Sequence, residues 1–151
     1  MDELRELYQA TILDHNKSPR NFHGLEHANH RADGHNPLCG DKLTVYLEVD
    51  EEGRVVDAGF QGSGCAISTA SASLMTEFVK GKAREEIDET FERFHELCAG
   101  NPSETPDVPG LGKLAVFAGV REYPMRVKCA TLAWHTLEAA LDDKGETAKT
   151  E

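Results

Sequence analysis

The chain has 151 residues and a mass of 16.6 kDa, a length that fits one domain around a single core. Its 16 Lys and Arg stand against 27 Asp and Glu, a formal net charge of −11, which disfavours a nucleic-acid backbone or an anionic membrane surface and suits a partner with a basic docking face. Asp14, His15, Asn16, Lys17 and Arg20 interrupt the only apolar run near the start, and no stretch approaches membrane-spanning length. The expected compartment is the cytoplasm, where Cys39, Cys65, Cys98 and Cys129 would stay reduced and suit metal or catalytic roles better than a disulfide framework.

In chain order, Leu4, Leu7, Tyr8, Thr11 and Ile12 recur at helical spacing behind Asp2, a suitable N-cap, and predict an amphipathic helix to about His15. Ser18-Pro19-Arg20-Asn21 ends it. From there to Pro37 the segment is rich in Asn, His, Gly and charge without periodicity, so the expectation is a loop with at most a short edge strand. Leu43, Val45, Leu47 and Val49 alternate with Lys42, Thr44, Tyr46 and Glu48, the period of a half-buried strand. Asp50-Glu51-Glu52-Gly53 reads as a hairpin connection and Val55 to Phe60 as the returning strand. Gly62-Ser63-Gly64 permits a tight turn into a helix from Ala66 to Lys80, with Gly81 as its stop.

Ile87, Phe91, Phe94 and Cys98 lie on one face of a third helix, Glu85 to Ala99. Asn101 to Pro106 is a loop, and Leu111, Leu114, Ala115, Ala118 and Val120 suggest a fourth helix. Pro124 precedes a fifth, from about Met125 to Leu141. Residues 142–151 are polar and expected to form a flexible tail on a single domain of residues 1–141. The pattern is that of an α+β fold, a small antiparallel sheet of about three strands with helices packed on one face.

Cys39 and Asp41, two residues apart in an extended segment, project to the same side, and Gly40 keeps the backbone between them slim. Cys65 is expected at the N-terminus of the second helix and Cys129 in the first turn of the fifth, where the helix dipole favours the thiolate. Zinc takes thiolate, imidazole and carboxylate ligands in a tetrahedral set, and Cys39, Asp41, Cys65 and Cys129 would supply one. A site with one oxygen ligand exchanges more readily than an all-thiolate site. Arg126 and Lys128 flank Cys129 and are candidates to offset the surplus negative charge. Spacing alone is a moderate signal, because the chain holds no paired C-x-x-C element.

The local sequences say more. Asn36-Pro37-Leu38-Cys39-Gly40-Asp41 comes first, then Phe60-Gln61-Gly62-Ser63-Gly64-Cys65-Ala66-Ile67-Ser68 with Ala70-Ser71-Ala72-Ser73, then Arg126-Val127-Lys128-Cys129-Ala130-Thr131-Leu132 and Trp134. In this order they resemble the three cysteine segments of the NifU/IscU-like family, and of its SufU branch in particular. The resemblance covers about residues 1–141, including Asp14-His15-Asn16-Lys17-Ser18-Pro19-Arg20-Asn21. It implies an α+β fold, a role in iron–sulfur cluster biogenesis, and Cys39, Asp41, Cys65 and Cys129 at the family's metal-site positions.

In the family's scaffold branch a histidine precedes the last cysteine and a Leu-Pro-Pro-Val-Lys segment recruits a chaperone. Here Lys128 stands where that histidine would be, and Tyr123-Pro124-Met125-Arg126-Val127-Lys128 departs from that segment. The long stretch between Cys65 and Cys129 is a further SufU-like feature. The resemblance therefore implies a zinc-dependent sulfurtransferase that accepts persulfide sulfur from a SufS-like cysteine desulfurase. A histidine of that partner would displace one zinc ligand and free Cys39 as acceptor; Asp41 would tune how readily the site opens, and Arg126 or Lys128 would stabilise negative sulfur in transit. The alternative is a scaffold that assembles a 2Fe–2S cluster on the same residues, and downstream iron–sulfur scaffold proteins are further expected partners.

Other chemistry-bearing residues read as structural. Cys98 completes an apolar helix face. His23, His27, His30 and His35 match no ligand spacing and suit a solvated loop, His95 and His135 a helix surface or boundary, and Asp14 and His15 a helix end. Gly62-Ser63-Gly64 lacks the Lys-Ser/Thr ending of a phosphate loop.

Overall fold

A computed structural model describes residues 2–37, 40–101, 103, 108–142 and 148–149 of the chain, with side chains described from Gln9 on in the first helix. The elements in order are α1 (Asp2–Lys17), β1 (His30–Asn36), β2 (Asp41–Val49), β3 (Val55–Ser63), α2 (Ala66–Val79), α3 (Arg84–Ala99), a 3₁₀ helix (Gly112–Glu122), α4 (Pro124–Asp142) and β4 (Ala148–Lys149). The sheet order is β3-β2-β1-β4. β2 pairs antiparallel with both β1 and β3, and β4 adds two residues parallel to β1. The α+β expectation and the antiparallel three-stranded core of the sheet are what the structure shows.

Alternation in β2 decides which face is covered. Asp41, Leu43, Val45 and Leu47 are all buried; their partners across β1 are Asn36, Gly34, Ala32 and His30, and the first three of these are buried too. α4 lies across β1 and β2, and α2 against β3. Cross-strand partners share a face, so Asn36 and Asp41 continue the core-facing row to its end, where it meets the helices.

Four features differ from expectation. The segment expected as a loop with at most a short edge strand contains β1, seven residues paired along its length with β2. Its inward positions are His30, Ala32, Gly34 and Asn36, which carry little hydrophobic alternation, so the partner strand and not local composition dictates the extended form. A Cβ on Gly34 would run into Thr136 Oγ1 of α4, so the missing side chain is what lets the helix approach. The fourth helix is 3₁₀ throughout. Leu111, Leu114, Phe117 and Val120 recur every third residue and are all buried, the period of that helix.

The other two concern placement. Cys129 is the sixth residue of α4, beyond its first turn, because Pro124 opens the helix at its N1 position. His15 lies in the last turn of α1, a helix end as expected, and its burial there is what the sequence did not show: its Nδ1 is 2.7 Å from Ser73 Oγ of α2, and the backbone N–H of Arg20 donates to the same hydroxyl at 2.8 Å. Within the stretch expected as a tail, Asp142 closes α4 and residues 148–149 lie beside β1.

The main core lies between the sheet and the helices. Trp134 of α4 stacks against Phe94 and Phe91 of α3, with ring centroids 5.1 and 5.8 Å apart, and Phe94 meets Phe117 edge-on. Cys98 is fully buried beside them on the predicted face, and burial pushes its thiol well above the usual range. Arg121, at the end of the 3₁₀ helix, donates to the carbonyls of Glu96, Leu97 and Asn101. It thereby satisfies two of the C-terminal carbonyls that α3 leaves open, those of Glu96 and Leu97. Among the described residues no helix is long and apolar enough to cross a membrane.

Candidate metal centre

The centre forms where the β1–β2 turn, the end of β3 and the side of α4 meet. Asn36 ends β1 and Asp41 begins β2 directly opposite it. The turn between them is closed by the N–H of Gly40 donating to the Asn36 carbonyl at 2.8 Å, with Gly40 at φ +73°, a left-handed conformation that glycine adopts without strain. Cys39, the residue before Gly40 in the sequence, lies outside the described residues.

Asp41 is buried, and its Oδ1 accepts the backbone N–H of Cys65 at 2.9 Å. That contact depends on Gly64, where a Cβ would press on the Asp41 carboxylate. Cys65 is the N-cap of α2, and its Sγ accepts the N–H of Ser68 at 3.4 Å. The Cys65 thiol is drawn down to about 6: a hydrogen bond with Cys129 is the largest cause and the Ser68 and Ile67 N–H groups add to it, while burial and the Asp41 charge oppose. Helix N-caps are natural seats for a thiolate for this reason. Cys65 is exposed, and Cys129 is buried.

The small residues of α2 let α4 come close. Ser71 Oγ donates to the carbonyl of Ala130 at 2.5 Å, fixing the turn of α4 that carries Cys129. Facing Cys129 from β1 is the Asn36 side chain, whose Nδ2 donates to Sγ at 3.7 Å. Sequence reasoning missed Asn36, because the strand that turns it inward is not legible in the sequence and the thiol it meets lies 93 positions away.

Of the expected site residues, Asp41, Cys65 and Cys129 come together, with one ligand atom of each within 4.8 Å of the others. Cys65 Sγ and Asp41 Oδ2 are 4.0 Å apart. A tetrahedral Zn²⁺ with sulfur at about 2.3 Å and oxygen at about 2.0 Å places its ligand atoms on the order of 3.5–3.8 Å from one another, so about an ångström of closure unites the three. Two thiols and a carboxylate are a donor set that zinc accepts. Arg126 is exposed on the first turn of α4 with its guanidinium 4.7 Å from the centre of the Tyr123 ring. Lys128 is half-buried.

The model of the NifU-like N-terminal domain matches residues 7–130. The chain is 39% identical over 141 residues to the iron-sulfur cluster assembly scaffold protein IscU of Streptococcus pyogenes serotype M1, covering 93% of this chain and 86% of that protein. It is 41% identical over 135 residues to the zinc-dependent sulfurtransferase SufU of Bacillus subtilis strain 168, covering 89% of each. The fold superposes, with a TM-score of 0.78 and 38% identity, on a crystal structure from Fervidobacterium islandicum AW-1 assigned as an iron-sulfur cluster assembly scaffold protein for the SUF system, over 87% of this chain and 93% of that one.

Proposed function

This chain belongs to the NifU-like N-terminal domain family of iron–sulfur cluster assembly proteins, IscU and SufU homologues among them, and within it we propose that it is a zinc-dependent sulfurtransferase that takes persulfide sulfur from a cysteine desulfurase. The observation that carries this reading is the meeting of Asp41, Cys65 and Cys129 at one point in a chain where Lys128, and not a histidine, precedes the last cysteine. Cys39, Asp41, Cys65 and Cys129 would hold Zn²⁺. When bound, the metal supplies positive charge that keeps the thiols deprotonated at neutral pH.

In this reading Cys39 is the acceptor, because glycine follows it directly in the sequence, whereas Cys65 and Cys129 are tied to helices. Its thiolate attacks the terminal sulfur of the desulfurase persulfide. A new S–S bond forms on Cys39 as the old one breaks, and the desulfurase cysteine leaves as a thiolate. One sulfane sulfur moves, and neither an oxidant nor a reductant is consumed. Asp41 governs how readily the ligand set opens, and Arg126 offers its guanidinium to negative sulfur in transit.

The test is a desulfurase assay with and without this chain, combined with metal analysis of the purified protein. Zinc at one equivalent and stimulated turnover are expected. Cys39→Ala should fold, yet lose the stimulation by at least about tenfold, a barrier change of about 1.4 kcal/mol, and gain no sulfur by mass. Persulfide on that variant would assign the acceptor elsewhere. Colour and iron after anaerobic reconstitution, with no stimulation of the desulfurase, would favour a scaffold that assembles a 2Fe–2S cluster on these residues, in line with the similarity to an iron-sulfur cluster assembly scaffold protein.

A further inference from the structure

Asn36 is fully buried, and both ends of it work at the metal centre. Its side-chain Nδ2 donates to Cys129 Sγ at 3.7 Å, and its backbone carbonyl accepts the N–H of Gly40, the residue that follows Cys39 in the sequence. It also stands directly across the sheet from Asp41. A thiol is a weak acceptor, whereas a thiolate is a strong one. An amide N–H kept at this depth and aimed at sulfur is therefore matched to the charged form of Cys129.

We propose that Asn36 is a positioning residue of the metal centre. Its N–H···S bond holds the Cys129 thiolate in place and draws charge from that sulfur. Cys129 becomes the anchored, least nucleophilic ligand, and sulfur acceptance is left to the β1–β2 turn. The inference rests on the metal-centre reading given above and adds to it a division of labour between the thiols. Groups that orient a ligand are worth about 10- to 100-fold in metal affinity when removed.

The experiment uses Co²⁺ and Zn²⁺ as probes on the full chain. In Asn36→Leu, which keeps much of the volume but offers no donor, and in Asn36→Ala, zinc affinity measured by chelator competition should fall by about 10- to 100-fold. The Co²⁺ form should retain tetrahedral d–d bands while its sulfur-to-cobalt charge-transfer band moves to lower energy, because the sulfur regains charge. A charge-transfer band that stays in place with affinity within about twofold of the parent overturns the proposal.

Should both variants misfold, the unaltered protein loaded with ¹¹³Cd answers the question. An NMR correlation between cadmium and the Asn36 side-chain amide proton, transmitted through the Cys129 sulfur, is expected, and its absence from a cadmium-loaded sample overturns the proposal. Failure of the unaltered protein to take up Co²⁺, Zn²⁺ or Cd²⁺ is a different result: it removes the metal-centre reading, and this inference with it.

Discussion

His15 is a polar residue that the fold has drawn inside. It bonds Ser73 Oγ at 2.7 Å, has Glu77 3.8 Å from its Nε2 and is held below the ordinary imidazole range, mainly by burial and then by the Arg20 charge. Because its folded pKa lies below its unfolded one, the neutral ring stabilises the fold above the unfolded value of about 6.5, and that contribution is lost as pH falls through the folded pKa. The melting temperature should therefore drop more steeply below about pH 6.5 in the parent than in His15→Gln, which can keep a bond to Ser73 but cannot charge. His135 and Glu138 titrate abnormally as well, so the quantity to read is the difference between parent and variant across pH. Parallel melting curves for the two proteins would show that His15 carries no such coupling.

At the scale of elements, the site is a consequence of how closely α4 can approach β1 and α2. Small residues set both distances. Gly34 admits Thr136 and Leu132, and Ser71 ties α2 to the Ala130 carbonyl. Gly34→Ala should force α4 away from the sheet and cost about 1–3 kcal/mol, read as a lower denaturant midpoint. It should also weaken zinc binding, because Cys129 rides on the displaced helix while Asp41 stays with the sheet. A variant with an unchanged midpoint would mean that the helix absorbs the methyl group by sliding. The same contact explains why β1 was not legible as a strand. A strand that must admit a helix closely carries glycine and alanine inward, and those residues erase the alternation that identified β2. The 3₁₀ helix differs from the expected fourth helix for a related reason: burial of Leu111, Leu114, Phe117 and Val120 on one face requires three residues per turn.

For the whole molecule, the surplus of acid, net −11, bears on association more than on stability. A desulfurase that presents a basic face would be drawn in by the long-range field, and salt would screen that attraction. Raising the ionic strength from about 50 to about 500 mM should weaken the apparent affinity for such a partner on the order of tenfold, with the reaction of Cys39 itself left unaffected at saturation. A salt-independent affinity would place the recognition in apolar contacts; Tyr123 and Met125, both more than half exposed beside Arg126, are the exposed large apolar side chains nearest to Cys129 along the chain.

The alternation of β2, the helical stripes of α2, α3 and α4, the turn glycines and the three cysteine segments were all written in local sequence, and so was the family they belong to. These are short-range signals, set by the two-residue and 3.6-residue periods of the backbone and by the few residue types that tolerate a turn or bind a soft metal. Only tertiary structure decided that residues 30–36 are a strand, that His15 is buried and that Asn36 faces Cys129. The strand depends on its pairing with β2 and on the approach of α4 to Gly34, while His15 and Asn36 meet partners 58 and 93 positions away, and no local period records a partner that distant.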